Sequence, residues 1–141
     1  MPTYLIVANR TLASPALLEA IRERIGRGEA TFHVVVPATP VVHRMTWDED
    51  ETRQAAETRL SGIVDTIREL GGQADGEIGA ADPVDAVRDA VRGRQVDEVL
   101  LSTLPAGVSR WLGQDVPSKM RHAVPVPVSV VTAPSEMAAS M

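Results

Sequence analysis

Tyr4-Leu5-Ile6-Val7-Ala8 is the stretch that decides the fold. A short apolar run with no polar alternation reads as a strand covered on both faces, and such strands belong to parallel sheets sandwiched between helices. On its carboxyl side, Ser14-Pro15 opens a helix. Serine is a good N-cap, and proline at the first helical position loses no needed hydrogen bond. Leu17, Leu18, Ile21 and Ile25 fall on one helical face, and Gly26 and Gly28 end the helix. Phe32 to Val36 is the second strand, stopped by Pro37, and Ala38 to Thr46 is a long loop containing Pro40. A long helix is expected from about Asp48 to Leu70, with Ala56, Leu60, Ile63, Val64, Ile67 and Leu70 facing the core. Its acidic first turn, Asp48 to Glu51, complements the helix dipole, Thr46 and Glu49 have capping-box spacing, and Gly71-Gly72 stops it.

The second half repeats the pattern. Ala74 to Ile78 alternates and is polar, which suits an edge strand. Asp82-Pro83 caps a helix with Val84, Val87 and Val91 inside, and Glu98 to Ser102 is the fourth strand. An irregular loop, Thr103 to Gly107, leads to a helical stretch from Ser109 to Ala123, expected to be interrupted around Gly113 and Pro117. A fifth strand, Val126 to Thr132, closes the domain. Pro127 cannot donate to a ladder, so this strand is expected at a sheet edge. The expected organisation is one α/β domain over residues 1–133 and a flexible tail over 134–141. Strands separated by helices imply an open parallel sheet with helices on both faces, and ligands in such sheets sit beyond the carboxyl ends of the strands, where the winding reverses.

Composition narrows the function. With 44% hydrophobic but only 3% aromatic residues, the core is built from Val, Leu, Ile and Ala. The absence of cysteine excludes disulfides, thiolate metal sites and a cysteine nucleophile. A net charge of -5 argues against nucleic acid or an anionic membrane as partner. No apolar run approaches the roughly 20 residues that span a bilayer. Met1-Pro2-Thr3-Tyr4 lacks the basic start of a signal peptide, so the expected location is the cytoplasm. There is no Gly-x-Gly-x-x-Gly, no Gly-Lys-Ser/Thr phosphate loop and no nucleophile elbow, so no catalytic constellation stands out.

Gly79-Ala80-Ala81-Asp82-Pro83, then Val96-Asp97-Glu98-Val99-Leu100-Leu101-Ser102-Thr103, then Arg121-His122-Ala123-Val124-Pro125-Val126-Pro127-Val128-Ser129-Val130-Val131, together resemble the universal stress protein family. That family shows a glycine-aspartate-proline turn, a strand ending in Gly-Ser and a closing Pro-Val strand. The resemblance spans nearly the whole chain in element order. It implies a five-stranded parallel sheet of order 3-2-1-4-5, with ATP or AMP held between strands one and four. It also implies a homodimer through the strand Val126 to Thr132. Nucleotide-binding members carry Gly-x-x-Gly, nine residues, then Gly-Ser or Gly-Thr after strand four. Here those positions are Ser102, Pro105 and Asp115-Val116, none of them glycine. Glycine there lets backbone N–H groups approach phosphate, and Asp115 repels it. The family's Asp after strand one is replaced by Asn9-Arg10.

The candidate ligand-binding residues are therefore Ala8, Asn9, Arg10 and Thr11 on one wall, Val36 at the end of strand two, Ser102, Thr103 and Gly107 on the other wall, and Arg110 in the helical stretch after it. Asn9 offers hydrogen bonds to a base or ribose and Arg10 a charge to offset phosphate; in the alternative, Asn9 starts a turn and Arg10 is solvated. Ser102 and Thr103 bind a ligand or merely cap the loop. Arg110 and Lys119 touch an anion or are surface charge. His33 alternates with Val34 and Val36 as a packed strand residue, while His43 and Trp47 form a lid or pack on the adjacent helix. The expected function is a non-enzymatic stress-response or regulatory protein that binds an adenine nucleotide or related small molecule atypically. The rivals are a dimeric interaction module without ligand, whose crevice is filled by Leu104, Arg110 or Trp111, and a nucleotide hydrolase.

Overall fold

A computed structural model describes residues 1–8, 14–37, 42–43, 46–47, 49–80, 82–103 and 115–132. Strand β1 (Thr3–Val7) leads into helix α1 (Pro15–Gly26) and strand β2 (Thr31–Pro37). Two short strands, β3 (Val42–His43) and β4 (Thr46–Trp47), pair antiparallel before helix α2 (Glu49–Glu69) and strand β5 (Gln73–Gly79). Helix α3 (Pro83–Arg92), strand β6 (Glu98–Thr103), helix α4 (Val116–Ala123) and strand β7 (Val128–Thr132) complete the order.

The main sheet is five-stranded and parallel, in the order β5-β2-β1-β6-β7. Counted along this sheet alone, the order is 3-2-1-4-5, as expected. From β1 the chain winds outward through β2 to β5, then returns to β6 and continues to β7. The winding therefore reverses between β1 and β6.

Strand alternation divides the core into two layers. On one face, Tyr4, Ile6, Phe32, Val34 and Leu100 meet Leu17 and Ile21 of α1 and Ala56, Ile63 and Ile67 of α2. On the other, Leu5, Val7, Val35, Val99 and Leu101 meet Ala86, Val87 and Ala90 of α3 and Val116 and Met120 of α4. Each fully buried aliphatic side chain contributes about 1.5–3 kcal/mol, so the two layers are what hold α1, α2, α3 and α4 to the sheet. Among the described residues no helix is long and apolar enough to cross a membrane.

Several expectations are corrected. The stretch Ala38 to Thr46 is not all loop, since it contributes β3 and the start of β4. Strands of two residues have no periodicity to read. The closing strand starts at Val128 rather than Val126. Pro127 lies just before it and uses its only backbone polar group, the carbonyl, to accept from Val99 N–H at 2.9 Å. β7 is an edge strand by its place in the sheet. Of the expected broken helical stretch, residues 109–114 lie outside the described residues; α4 starts at Val116, after Asp115 in a left-handed conformation, and Pro117 occupies its first turn, where a missing N–H is harmless. The tail 134–141, the lid and packing readings of the His43 and Trp47 side chains, and the Thr46–Glu49 capping box lie outside the described atoms.

Candidate functional site

The reversal between β1 and β6 puts their carboxyl ends side by side. Val7 pairs with Val35 on one flank and Leu101 on the other, so the next residues, Val36, Ala8 and Ser102, form a row across three strands. All three are buried. Ala8 N–H is 3.4 Å from the carbonyl of Val35, which holds β1 and β2 together to the lip of the sheet. Ser102 follows Leu100 on the α1–α2 face, and Thr103 follows Leu101 on the α3–α4 face. Thus four of the expected ligand residues, Ala8, Val36, Ser102 and Thr103, come together at one point. Asn9, Arg10, Thr11, Gly107 and Arg110 lie outside the described residues, as do Leu104, Pro105 and Trp111.

Among the described residues, two hydroxyls at this end of the molecule are buried without a hydrogen-bond partner: Ser14 Oγ and Thr103 Oγ1. Ser14 precedes α1, the helix that leaves the end of β1, and is fully buried. It was expected to cap α1 with its side chain. Its backbone does occupy the N-cap position, and its carbonyl accepts from Leu18 N–H at 3.0 Å, but its hydroxyl makes no cap bond. Asp82 shows the contrast at α3, where its carboxylate accepts from Val84 N–H at 2.8 Å and Asp85 N–H at 3.2 Å. The amino end of α3 is therefore closed by its own cap, and that of α1 is left open by its side chain. Sequence reading missed Ser14 as a site residue, because a serine before a helix-opening proline reads as a structural cap.

An unsatisfied buried hydroxyl costs about 1–3 kcal/mol, and these two stand beside the winding reversal with no partner among the described residues. Each can donate to and accept from a ligand oxygen or nitrogen. The amino end of α4 lies beyond the end of β6 in the chain. There Asp115 takes a left-handed conformation (φ 55°, ψ 41°) and makes no side-chain cap bond.

His33 belongs elsewhere. It is a packed strand residue, as expected, but not an apolar-only one. Its Nδ1 lies 2.8 Å from Asp75 Oδ1, and its Nε2 is 3.5 Å from Glu77 Oε1, within ion-pair range but without hydrogen-bond geometry. These contacts join β2 to the edge strand β5. Among the described residues no His, Asp and Glu group is arranged to hold a metal.

No family model matches the chain, and no curated protein matches it in sequence. Solved structures do. A universal stress protein from Archaeoglobus fulgidus superimposes with a TM-score of 0.65 at 18% identity, covering 93% of both chains. A universal stress protein from Archaeoglobus fulgidus in complex with dAMP gives 0.60 at 19% identity, covering 93% of this chain and 97% of that one. A universal stress family protein from Arabidopsis thaliana with AMP bound gives 0.64 at 14% identity, covering 96% and 94%. These likenesses span the whole sheet and its helices, and by them the chain has the fold of the universal stress proteins.

Proposed function

We propose that this protein is a non-enzymatic regulatory protein of the universal stress type, which takes an adenine nucleotide or related small molecule at the carboxyl ends of β1 and β6. The observation that carries the reading is the pair of buried, unpartnered hydroxyls, Ser14 Oγ and Thr103 Oγ1, flanking the winding reversal. In open α/β sheets this is where ligands bind. A ligand that hydrogen-bonds both hydroxyls recovers a cost the empty fold carries, and this couples binding to stability. The AMP and dAMP held by two proteins of the same fold support the adenine class.

The same reading places the protein in the cytoplasm as a homodimer, joined through the edge strand β7. Val130 and Val131 of that strand are only partly buried in the single chain. Calorimetric titration with ATP, AMP, cyclic AMP and adenosine tests the ligand, and heat from at least one is expected. No heat from any contradicts it. Light scattering at high micromolar concentration is expected to give the mass of a dimer, and a monomer there contradicts the β7 contact.

A further inference from the structure

His33 of β2 is 1% exposed and stands on the same sheet face as Val35, the face that α3 covers. In the sheet it lies between apolar Leu5 of β1 and Asp75 of the edge strand β5. Its two ring nitrogens are served differently. Nδ1 lies 2.8 Å from Asp75 Oδ1. An ionised carboxylate only accepts, so Nδ1 carries the hydrogen of the neutral ring and Nε2 is left as a bare acceptor. Glu77 Oε1, 3.5 Å from Nε2, is an acceptor too, and Nε2 is buried without a partner. The neutral ring therefore sets two acceptors against each other. Among the described residues, a further charge at the cluster is Arg94, beyond α3, whose Nη1 lies 3.7 Å from Asp75 Oδ2. The buried residues of α3 itself, Pro83, Ala86, Val87 and Ala90, include no titratable group.

We infer that His33, Asp75 and Glu77 form a proton-operated latch between β2 and the edge strand β5. A second proton on the ring turns Nε2 from an acceptor into a donor, and the Glu77 carboxylate, exposed at the sheet edge, receives it. The imidazolium then bridges two carboxylates of the outermost strand, while Arg94 holds Asp75 from the other side. Hydrogen bonds between charged partners are shorter and about twice as strong as neutral ones. Histidine is the side chain that ordinarily changes charge between about pH 5 and 8, so the latch closes in mild acid, above the range where carboxylates protonate. Stability rises as pH falls wherever the folded chain binds more protons than the unfolded one, and closing the latch is such an uptake. The latch is independent of any ligand at the ends of β1 and β6.

The test is urea unfolding of wild type and Glu77→Gln at about pH 8 and about pH 6, at matched ionic strength and with a chelator present. Glutamine keeps the length of the side chain, and its amide can donate to the neutral ring, so the variant removes the charge without leaving Nε2 stranded. The unfolding constant of wild type is expected to be about fivefold smaller at the lower pH. Glu77→Gln is expected to lose most of that difference and to be no less stable than wild type at the higher pH. His43 and His122 are present in both proteins, so the difference between the two profiles belongs to the latch. Amide exchange locates the effect: protection of the β5 amides relative to those of β7 is expected to rise at the lower pH in wild type alone. Coincident pH profiles in the two proteins overturn the inference, and so does a wild type less stable at the lower pH. A pH effect confined to wild type but without added protection in β5 overturns it as well, because the proton would then act elsewhere.

Discussion

Glycine at position 76 shows how one residue sets the spacing of the molecule. A Cβ there would run into Leu60 of α2 and come within 2.7 Å of the Val34 carbonyl, so the absence of a side chain is what lets α2 lie close on the edge strand. The backbone oxygen cannot move away as a side-chain tip could. Gly76→Ala is therefore expected to destabilise the fold by about 1–3 kcal/mol, read as a lower denaturation midpoint with unchanged slope. An unchanged midpoint would mean that α2 can shift freely. This glycine was not legible beforehand, because its role depends on Leu60, more than ten positions away in sequence. The contrast between Asp82 and Ser14 makes the same point. Both precede a proline and look like caps in sequence, but only Asp82 bonds the helix it starts through its side chain. Residue type alone does not tell a cap from a group left free for something else.

At the scale of elements, one ion pair ties the carboxyl end of α1 to the two strands beside it. Arg24 meets both oxygens of Glu98, Nε to Oε1 at 3.0 Å and Nη2 to Oε2 at 3.2 Å, and Ser129 Oγ donates to Oε2 at 2.6 Å. The guanidinium also lies 5.7 Å from the Tyr4 ring centre, and Tyr4 stacks on Phe32. Burial raises the Glu98 pKa, but the hydrogen bonds from Arg24 and Ser129, with the charges of Arg24 and Arg27, outweigh it and leave the carboxyl below its usual 4.5. A carboxyl held below its unfolded value contributes stability that is fully present above that value and is lost as pH falls through the lower, folded one. The loss therefore begins near pH 4.5 and deepens with further acidification. Glu98→Gln is expected to lose roughly 1–2 kcal/mol at neutral pH and to unfold less steeply with acid than wild type. Identical acid profiles would contradict this. Most elements were legible from periodicity alone: the inner face of α2, from Ala56 to Ile67, lies in the core as its spacing required. The β3–β4 hairpin and the true start of β7 were not, since two-residue strands and a proline's carbonyl leave no mark in a hydrophobic pattern.

For the whole molecule, alternating strands and helices were enough to expect a parallel sheet, but not the order of its strands. That order came from resemblance, and the sheet bears it out. The order is what fixes the site, because only the neighbours β1 and β6 diverge in winding direction. Ala8, Val36, Ser102 and Thr103 could be located in sequence because they end the strands that flank this point or lie beside it. Ser14 was not, because nothing in the sequence says that its hydroxyl stays unbonded. If the two orphan hydroxyls serve a ligand, they are a burden to the empty protein and an asset to the occupied one. Thermal unfolding of wild type and of the Ser14→Ala/Thr103→Val variant, each with and without adenosine, tests this most directly. The variant is predicted to melt higher than wild type without adenosine, since two unsatisfied groups are gone, and to gain little or nothing when adenosine is added, while wild type gains stability. A variant that melts lower than wild type and responds to adenosine as wild type does would contradict the account.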